Sequence, residues 1–337
     1  MPVRVAINGF GRIGRAVFRI GRTLPELNFV AINDRVDSGM LAHLLKYDSI
    51  QGTLAGRVES TGTSIIVDGK KIPVFSKGDP EKLPWKNLAV DVVLESTGMF
   101  THRDAAHRHI TAGAQKVVIS APGHNPDVTI IPGINTKQYN KKHHEIVSMG
   151  SCTANCLAPI TKILNDTFGI LYGYMTTVHS YTNNQVLLDS PHNDLRRART
   201  MTQSIIPTTS ATIEVLDRTI PELAGRLKGI SVRVPTPKVA LVDFVAALSK
   251  RTSKEEVNNS LRAAADGPLK GILHCIDEPL VSTDFEGSPY SSIVDLTCTQ
   301  VICGRMVKVI AWYDNESGFS HRLCDLFPFL LEKDSIR

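Results

Sequence analysis

Apolar positions in the first half of the chain fall into short blocks separated by helical patterns. Residues 3–8 (Val-Arg-Val-Ala-Ile-Asn) read as a short buried strand, and a helix runs through residues 15–20. Further strands are predicted at 29–33, 90–95, 116–120 and 146–149, with a polar, His- and Ala-rich helix over 102–111. Asp68-Gly69, set between Ile65-Ile66-Val67 and Lys71-Ile72-Pro73-Val74, marks an inserted hairpin. This alternation predicts an open α/β sheet. The second half reads differently. A helical pattern at 157–164 is followed by a strand at 172–178, a long irregular segment at 183–209, and strands at 231–235 and 238–245. A helix at 253–265 and a C-terminal helical stretch after Gly318 complete an α+β pattern.

At 337 residues and 42 % hydrophobic, the chain is long enough for two domains with sizeable cores. A formal charge of +5 gives little electrostatic support for a nucleic-acid role. No apolar run reaches membrane-spanning length and the N-terminus lacks a signal-peptide pattern, so a cytoplasmic protein is expected, with neither nucleic acid nor membrane as a partner. Six cysteines in a chain of this length do not resemble a disulfide framework.

Gly9-Phe10-Gly11-Arg12-Ile13-Gly14 follows the first strand and opens the first helix. G-x-G-x-x-G in that context supplies a tight turn, bare backbone beside a pyrophosphate, and a helix N-terminus aimed at it. Asp34 ends the second strand, where a carboxylate accepts from ribose hydroxyls and repels a 2′-phosphate. The adjacent Arg35 partly offsets that repulsion, but NAD is favoured. The loops after Glu95 and Ile119 lie at strand carboxyl ends, where such sheets bind ligands. His107 and His109 raise the thought of a metal, but an exposed helix face fits them better, and no metal site is expected.

Ser151-Cys152-Thr153-Ala154-Asn155-Cys156 comes after the bend at Gly150. A cysteine in the first helical turn feels the positive end of the macrodipole, which favours thiolate. Cys156 lies one turn deeper. Two buried structural cysteines are the plain alternative, and a catalytic reading depends on a base. His179, at a strand end, supplies one if the two meet, since a Cys–His pair makes thiolate accessible at neutral pH. Asp194-Leu195-Arg196-Arg197-Ala198-Arg199 lies in the irregular segment, where its arginines either clamp phosphate or form a solvated or subunit-facing patch. Arg233 adds another guanidinium, on a strand.

With the glycine turn, these stretches closely resemble phosphorylating glyceraldehyde-3-phosphate dehydrogenases. Ser151-Cys152-Thr153-Ala154-Asn155-Cys156, Thr177-Val178-His179, Asp194-Leu195-Arg196-Arg197-Ala198-Arg199, Arg233-Val234-Pro235-Thr236 and Trp312-Tyr313-Asp314-Asn315-Glu316 occur in family order. The resemblance implies a Rossmann dinucleotide-binding domain (residues 1–150 and 316–337) and an α+β catalytic domain with a mixed or antiparallel sheet (151–315). It also implies a homotetramer that takes a phosphorylated aldehyde and inorganic phosphate. On that resemblance Cys152 is the nucleophile and His179 its base. Thr182, Arg197 and Arg233 hold the substrate phosphate, and Ser151, Thr153, Ser210 and Ala211 hold the attacking phosphate. Gly9, Gly11, Arg12, Ile13, Gly14, Asp34, Gly78, Ser120 and Asn315 contact NAD.

Three departures from the family pattern matter. Ser210-Ala211 stands where Thr-Gly is usual, and Ala211 resists positive φ and hinders close backbone approach. Ala154 replaces a usual Thr, and Phe319 a usual Tyr. The last two leave room for the sister activity, an erythrose-4-phosphate dehydrogenase that ends in thioester hydrolysis. A non-enzymatic NAD-binding or redox-sensing paralogue is the reading from another class. The retained Pro191 favours NAD over NADP.

Overall fold

The computed structural model describes residues 1–331. The described residues form two compact units, one made of residues 1–130, 136–150 and 320–331, the other of 131–135 and 151–319.

In the first unit the described residues form β1 (Val3–Asn8), α1 (Arg12–Gly21), β2 (Leu27–Asn33), α2 (Ser38–Lys46), β3 (Val58–Ser60), β4 (Ser64–Val67), β5 (Lys70–Phe75), β6 (Val92–Glu95), α3 (Arg103–Thr111), β7 (Lys116–Ile119), β8 (Val128–Thr129) and β9 (Ile146–Ser148). The sheet runs β3-β4-β5-β2-β1-β6-β7-β9-β8. Central β1 pairs in parallel with β2 and β6, which explains its unbroken burial from Val5 to Asn8. Asp68 and Gly69 both have positive φ, as a two-residue hairpin turn requires. Because β5 also pairs in parallel with β2, the hairpin widens the sheet. Helix α2 was not anticipated. Asp37 caps it by accepting from the Gly39 and Met40 N–H groups, and Leu41, Ala42 and Leu45 form its buried face.

The expected exposed face of the 102–111 helix needs correcting at His109, which is fully buried. Trp85 Nε1–H donates to His109 Nδ1 at 2.9 Å, so the proton sits on Nε2, 3.2 Å from Glu95 Oε2. Trp85 is itself completely enclosed. His107 remains half-exposed, 3.7 Å from Glu145.

The second unit contains α4 (Cys152–Phe168), β10 (Ile170–Ser180), β11 (Ile206–Thr208), α5 (Thr212–Thr219), β12 (Leu227–Val234), β13 (Ala240–Leu248), α6 (Lys254–Asp266), β14 (Leu273–Ile276), β15 (Ser292–Ile302) and β16 (Met306–Tyr313). Its mixed sheet has the order β11-β12-β10-β13-β16-β15-β14. Alternate residues of β10 (Gly173, Met175, Thr177, His179) are buried, while Tyr172 and Tyr174 between them are exposed. Leu157, Ile160 and Leu164 of α4 share a core with Met175, Val242, Phe244 and Val309. The segment expected to be irregular to residue 209 ends instead in β11, antiparallel to β12. Helix α7 (Ser317–Leu331) follows. Its residues from Ser320 belong to the first unit, where Cys324 Sγ lies 3.7 Å from the Val17 carbonyl oxygen. The end of the expected 316–337 segment, residues 332–337, lies outside the described residues.

Two glycines of the first turn make a stability contrast. A Cβ on Gly14 collides with the Gly9 carbonyl oxygen, whereas one on Gly11 meets nothing within 4 Å. Gly14→Ala is expected to lower the unfolding free energy by about 1–3 kcal/mol, the usual cost of overpacking against rigid backbone. Gly11→Ala should cost less than about 1 kcal/mol. Urea unfolding of the two variants checks the order.

Candidate functional site

Gly150 has φ +67, a turn that ends the chain's run through β9 and starts the next helix. Ser151 caps α4, its Oγ accepting from the Ala154 N–H at 3.1 Å. Cys152 is therefore the first helical residue, partly exposed and beside the unpaired N–H groups of the first turn. Cys156 is fully buried one turn on, its Sγ 3.6 Å from Ser292 Oγ, and burial pushes its thiol up to about 12.

His179 projects from the buried face of β10, against which α4 packs, and its Nε2 lies 3.6 Å from Cys152 Sγ. The parallel register sets His179 of β10 opposite Arg233 of β12. That pairing brings Arg233 Nη1 to 2.6 Å from His179 Nδ1 and 3.1 Å from the Ser180 carbonyl oxygen. The same Nδ1 lies 2.7 Å from the Ser180 carbonyl oxygen. Burial lowers the His179 pKa to about 3, helped by the Arg233 cation and opposed by the Ser180 carbonyl. Burial also raises the Cys152 thiol, against the pull of Arg233 and of the Thr153 hydroxyl and N–H. The helix dipole and histidine were expected to favour thiolate. Burial works against both charged forms here, raising the thiol and lowering the imidazole.

Of the three loop arginines only Arg197 turns toward this group. Its Nε donates to Thr208 Oγ1 at 2.8 Å and its Nη2 to the Thr209 carbonyl at 3.3 Å. Burial lowers the Arg233 pKa, and the nearby Arg197 charge adds to the effect. Arg199 pairs with Asp189 at 2.7 Å, and Arg196 is exposed. The Thr182 N–H donates to Gln185 Oε1. Thr153 is buried, and its hydroxyl is bonded to Tyr313 OH at 2.7 Å. Ser210 Oγ donates to Thr212 Oγ1 at 2.8 Å beside the start of α5. Ala211 has φ −78, so the expected strain of a positive φ does not arise there.

In the first unit a cleft of about 260 Å³ opens over the glycine turn, lined by Gly9, Gly11, Asp34, Arg35 and Gly78 among others. Asp34 Oδ2 accepts from the Phe10 N–H at 2.7 Å, which holds the turn against the end of β2. Arg12 Nη1 is tied to Asp48 at 2.7 Å. Burial alone raises the Asp48 carboxyl, but the Gln51 and Ile50 N–H groups and Arg12 outweigh it and hold it at about 2. Ile13 is partly buried on α1, and Ser120 Oγ donates to the Glu95 carbonyl at 3.0 Å. The cleft is also lined by Thr97, in the expected ligand-binding loop after Glu95, and by Asn8 and Asn33, which were not singled out from the sequence. Asn8 accepts from Asn33 Nδ2 at 2.7 Å and donates to the buried Glu95 carboxylate. A polar residue ending each of β1 and β2 was the available signal.

The family model for the glyceraldehyde 3-phosphate dehydrogenase NAD binding domain matches residues 3–103, and that for the C-terminal domain matches 151–315. The chain is 54 % identical to glyceraldehyde-3-phosphate dehydrogenase of Geobacillus stearothermophilus over 333 residues, covering 99 % of each chain. It is 52 % identical to glyceraldehyde-3-phosphate dehydrogenase 1 of Bacillus subtilis (strain 168), again over 99 % of each. The chain belongs to the glyceraldehyde-3-phosphate dehydrogenase family. Its first unit is thus a Rossmann-type NAD-binding fold, its second the family's α+β fold, and NAD is its cofactor.

The residues expected to contact NAD fit that group. Gly11 leaves open the space over the α1 N-terminus that a pyrophosphate needs, and Asp34 presents a carboxylate at the cleft. In the second unit of this glyceraldehyde-3-phosphate dehydrogenase family chain, Asn315 Oδ1 accepts from Ser180 Oγ and from the Val239 N–H, both at 3.1 Å. That fixes the amide so that Nδ2 is the outward donor. Val239 reaches Asn315 with φ +64, beside a buried Lys238–Asp314 ion pair of 2.8 Å. Neither Val239 nor Lys238 was expected to take part in the site.

The buried neutral His179 makes stability depend on pH. Its folded pKa lies below the unfolded value near 6.5, so the native state loses stability as pH falls from about 6.5 toward 3. The slope from this one group is at most about 1.4 kcal/mol per pH unit. His179→Gln should therefore lose less stability than wild type between pH 7 and about 4, read as urea midpoints at each pH.

Proposed function

We propose that this chain carries out the NAD-dependent oxidative phosphorylation of glyceraldehyde 3-phosphate to 1,3-bisphosphoglycerate. The observation that carries the reading is Cys152 Sγ at a helix N-terminus, 3.6 Å from His179 Nε2, with Arg233 against the same imidazole. Cys152 adds to the aldehyde carbon as His179 takes its proton. The oxyanion of the resulting thiohemiacetal is met by the Cys152 N–H and the protonated His179. NAD, when bound, supplies the hydride acceptor. The thioester left on Cys152 is then cleaved by inorganic phosphate.

Thr182, Arg197 and Arg233 are assigned to the substrate phosphate. Ser151, Thr153, Ser210 and Ala211 are assigned to the attacking phosphate. For NAD, Arg12 and Ile13 would meet the pyrophosphate through their backbone at the start of α1, the Arg12 guanidinium being paired with Asp48. Gly9 and Gly14 keep the turn tight, Asp34 and Gly78 serve the adenosine end, and Ser120 and Asn315 complete the set. Residues 1–150 and 316–337 are assigned to cofactor binding and 151–315 to catalysis. A cytoplasmic homotetramer is the proposed working form. Tyr172, Tyr174 and Ile230 exposed on one face of the second sheet, with Leu187, Leu188 and Leu195 on the loop, favour self-association. Among the described residues no helix is long and apolar enough to cross a membrane.

NADH formation with each aldehyde, with and without inorganic phosphate, tests the reaction. Phosphate-dependent turnover of glyceraldehyde 3-phosphate is expected. Phosphate-independent turnover with a preference for erythrose 4-phosphate would replace it with the sister activity. Cys152→Ser should abolish oxidation but keep NAD binding, while Cys156→Ser, altering a buried thiol one turn deeper, should retain most activity. Activity surviving in the first variant and lost in a folded second would exchange the two assignments.

A further inference from the structure

Two cations stand on the rim of the cofactor cleft beside Asp34, and nothing in the assigned reaction uses them. Arg35 and Lys77 line the cleft together with Asp34 and Gly78. Both are exposed, and among the described residues neither side chain makes a hydrogen bond or an ion pair. Lys77 is held in place by its backbone. Its N–H donates to Asn33 Oδ1 at 2.9 Å, and its carbonyl oxygen accepts from Asn33 Nδ2 at 3.0 Å. Asn33 is the buried last residue of β2, so this latch fixes position 77 against the strand end that leads into Asp34 and Arg35. The Arg35 guanidinium reaches the same segment, its Nη2 lying 3.7 Å from where a Cβ on Gly78 would stand.

Asp34 is turned to the backbone. Its Oδ2 accepts from the Phe10 N–H at 2.7 Å and its Oδ1 from the Val36 N–H at 3.1 Å. Each oxygen keeps a lone pair for a ribose hydroxyl, but neither is spent on Arg35. One carboxylate therefore faces two unpaired cations, and the sum at this end of the cleft is positive. A cleft that excludes a 2′-phosphate by charge needs the opposite balance.

We propose that Arg35 and Lys77 form a 2′-phosphate subsite at the adenosine end, so that the chain binds NADP as a second dinucleotide beside NAD. The proposal rests on the assignment of Asp34 to the adenosine end. A phosphate monoester carries close to two negative charges at neutral pH and offers three acceptor oxygens. The Arg35 fork can take two of them bidentately, and Lys77 adds a compact charge. Asp34 and the retained Pro191 both favour NAD, so the subsite admits NADP rather than selecting it. The two dinucleotides differ only at that ribose, and nothing at Cys152 or His179 has to change.

Adenosine 2′,5′-bisphosphate and 5′-AMP differ only in the 2′-phosphate, and their displacement of NAD from the full chain tests the subsite without turnover. In the wild type the bisphosphate is expected to bind within about tenfold of AMP. Arg35→Gln should weaken the bisphosphate by roughly a further tenfold relative to AMP, the loss of one charge-assisted contact. Lys77→Gln should act in the same direction by a smaller factor, and Arg35→Lys should recover part of the loss. Both side chains are exposed, so these changes leave the fold intact. A larger wild-type deficit overturns the proposal, and so does an Arg35→Gln change that leaves the ratio of the two affinities as it was. If AMP itself does not displace NAD, the cleft assignment falls and the proposal falls with it. Failure at the 2′-phosphate alone leaves that assignment standing.

Discussion

The chemistry of the second unit hangs on one register, the parallel pairing of β10 with β12. It sets His179 beside Arg233, and the strand's two-residue period puts His179 on the buried face with Met175 and Thr177. A slip of one residue would turn His179 outward among Tyr172 and Tyr174. The core beneath therefore does more than hold the sheet. By burying Met175 and Gly173 it fixes which way the histidine points, and by packing α4 on that face it brings the Cys152 helix end to it.

The strands of the first unit were legible because a parallel sheet covered on both sides needs nearly continuous apolar runs. The glycine turn was legible because Gly9 and Gly14 have no freedom to be anything else. Less visible were elements whose signal is tertiary. Helix α2 has a short, weak apolar face, and β11 is three residues that exist as a strand only through β12. His109 looked like a surface residue because its neighbours are polar. Its partners, Trp85, Glu95 and Asn8, are distant in sequence and meet it only in the fold. The Cys152–His179 pairing could be named from the motifs, but no local pattern shows that Arg233 of β12 reaches the same imidazole.

The site also shows how much positioning is done by groups outside the reacting set. Tyr313 OH joins Thr153 at the start of α4 to Thr177 on β10, so one hydroxyl ties the helix that begins at Cys152 to the strand that carries His179. Val239 takes a left-handed conformation that a β-branched residue resists, at a cost on the order of 1–3 kcal/mol. Its N–H is one of two donors that set the face of Asn315, and the enclosed Lys238–Asp314 pair flanks both. Strain of this kind persists only where surrounding contacts over-determine it.

The chain has two tryptophans, and they fall one to each unit. Trp85 is sealed in the first, its indole N–H on His109. Trp312 in β16 is partly exposed and stacked on Phe285, with ring centroids 5.3 Å apart. Their emission should differ in wavelength accordingly, with the enclosed indole to the blue. Fluorescence during unfolding thus carries a separate optical label for each half of the molecule, and a single Trp→Phe change assigns which half reports first.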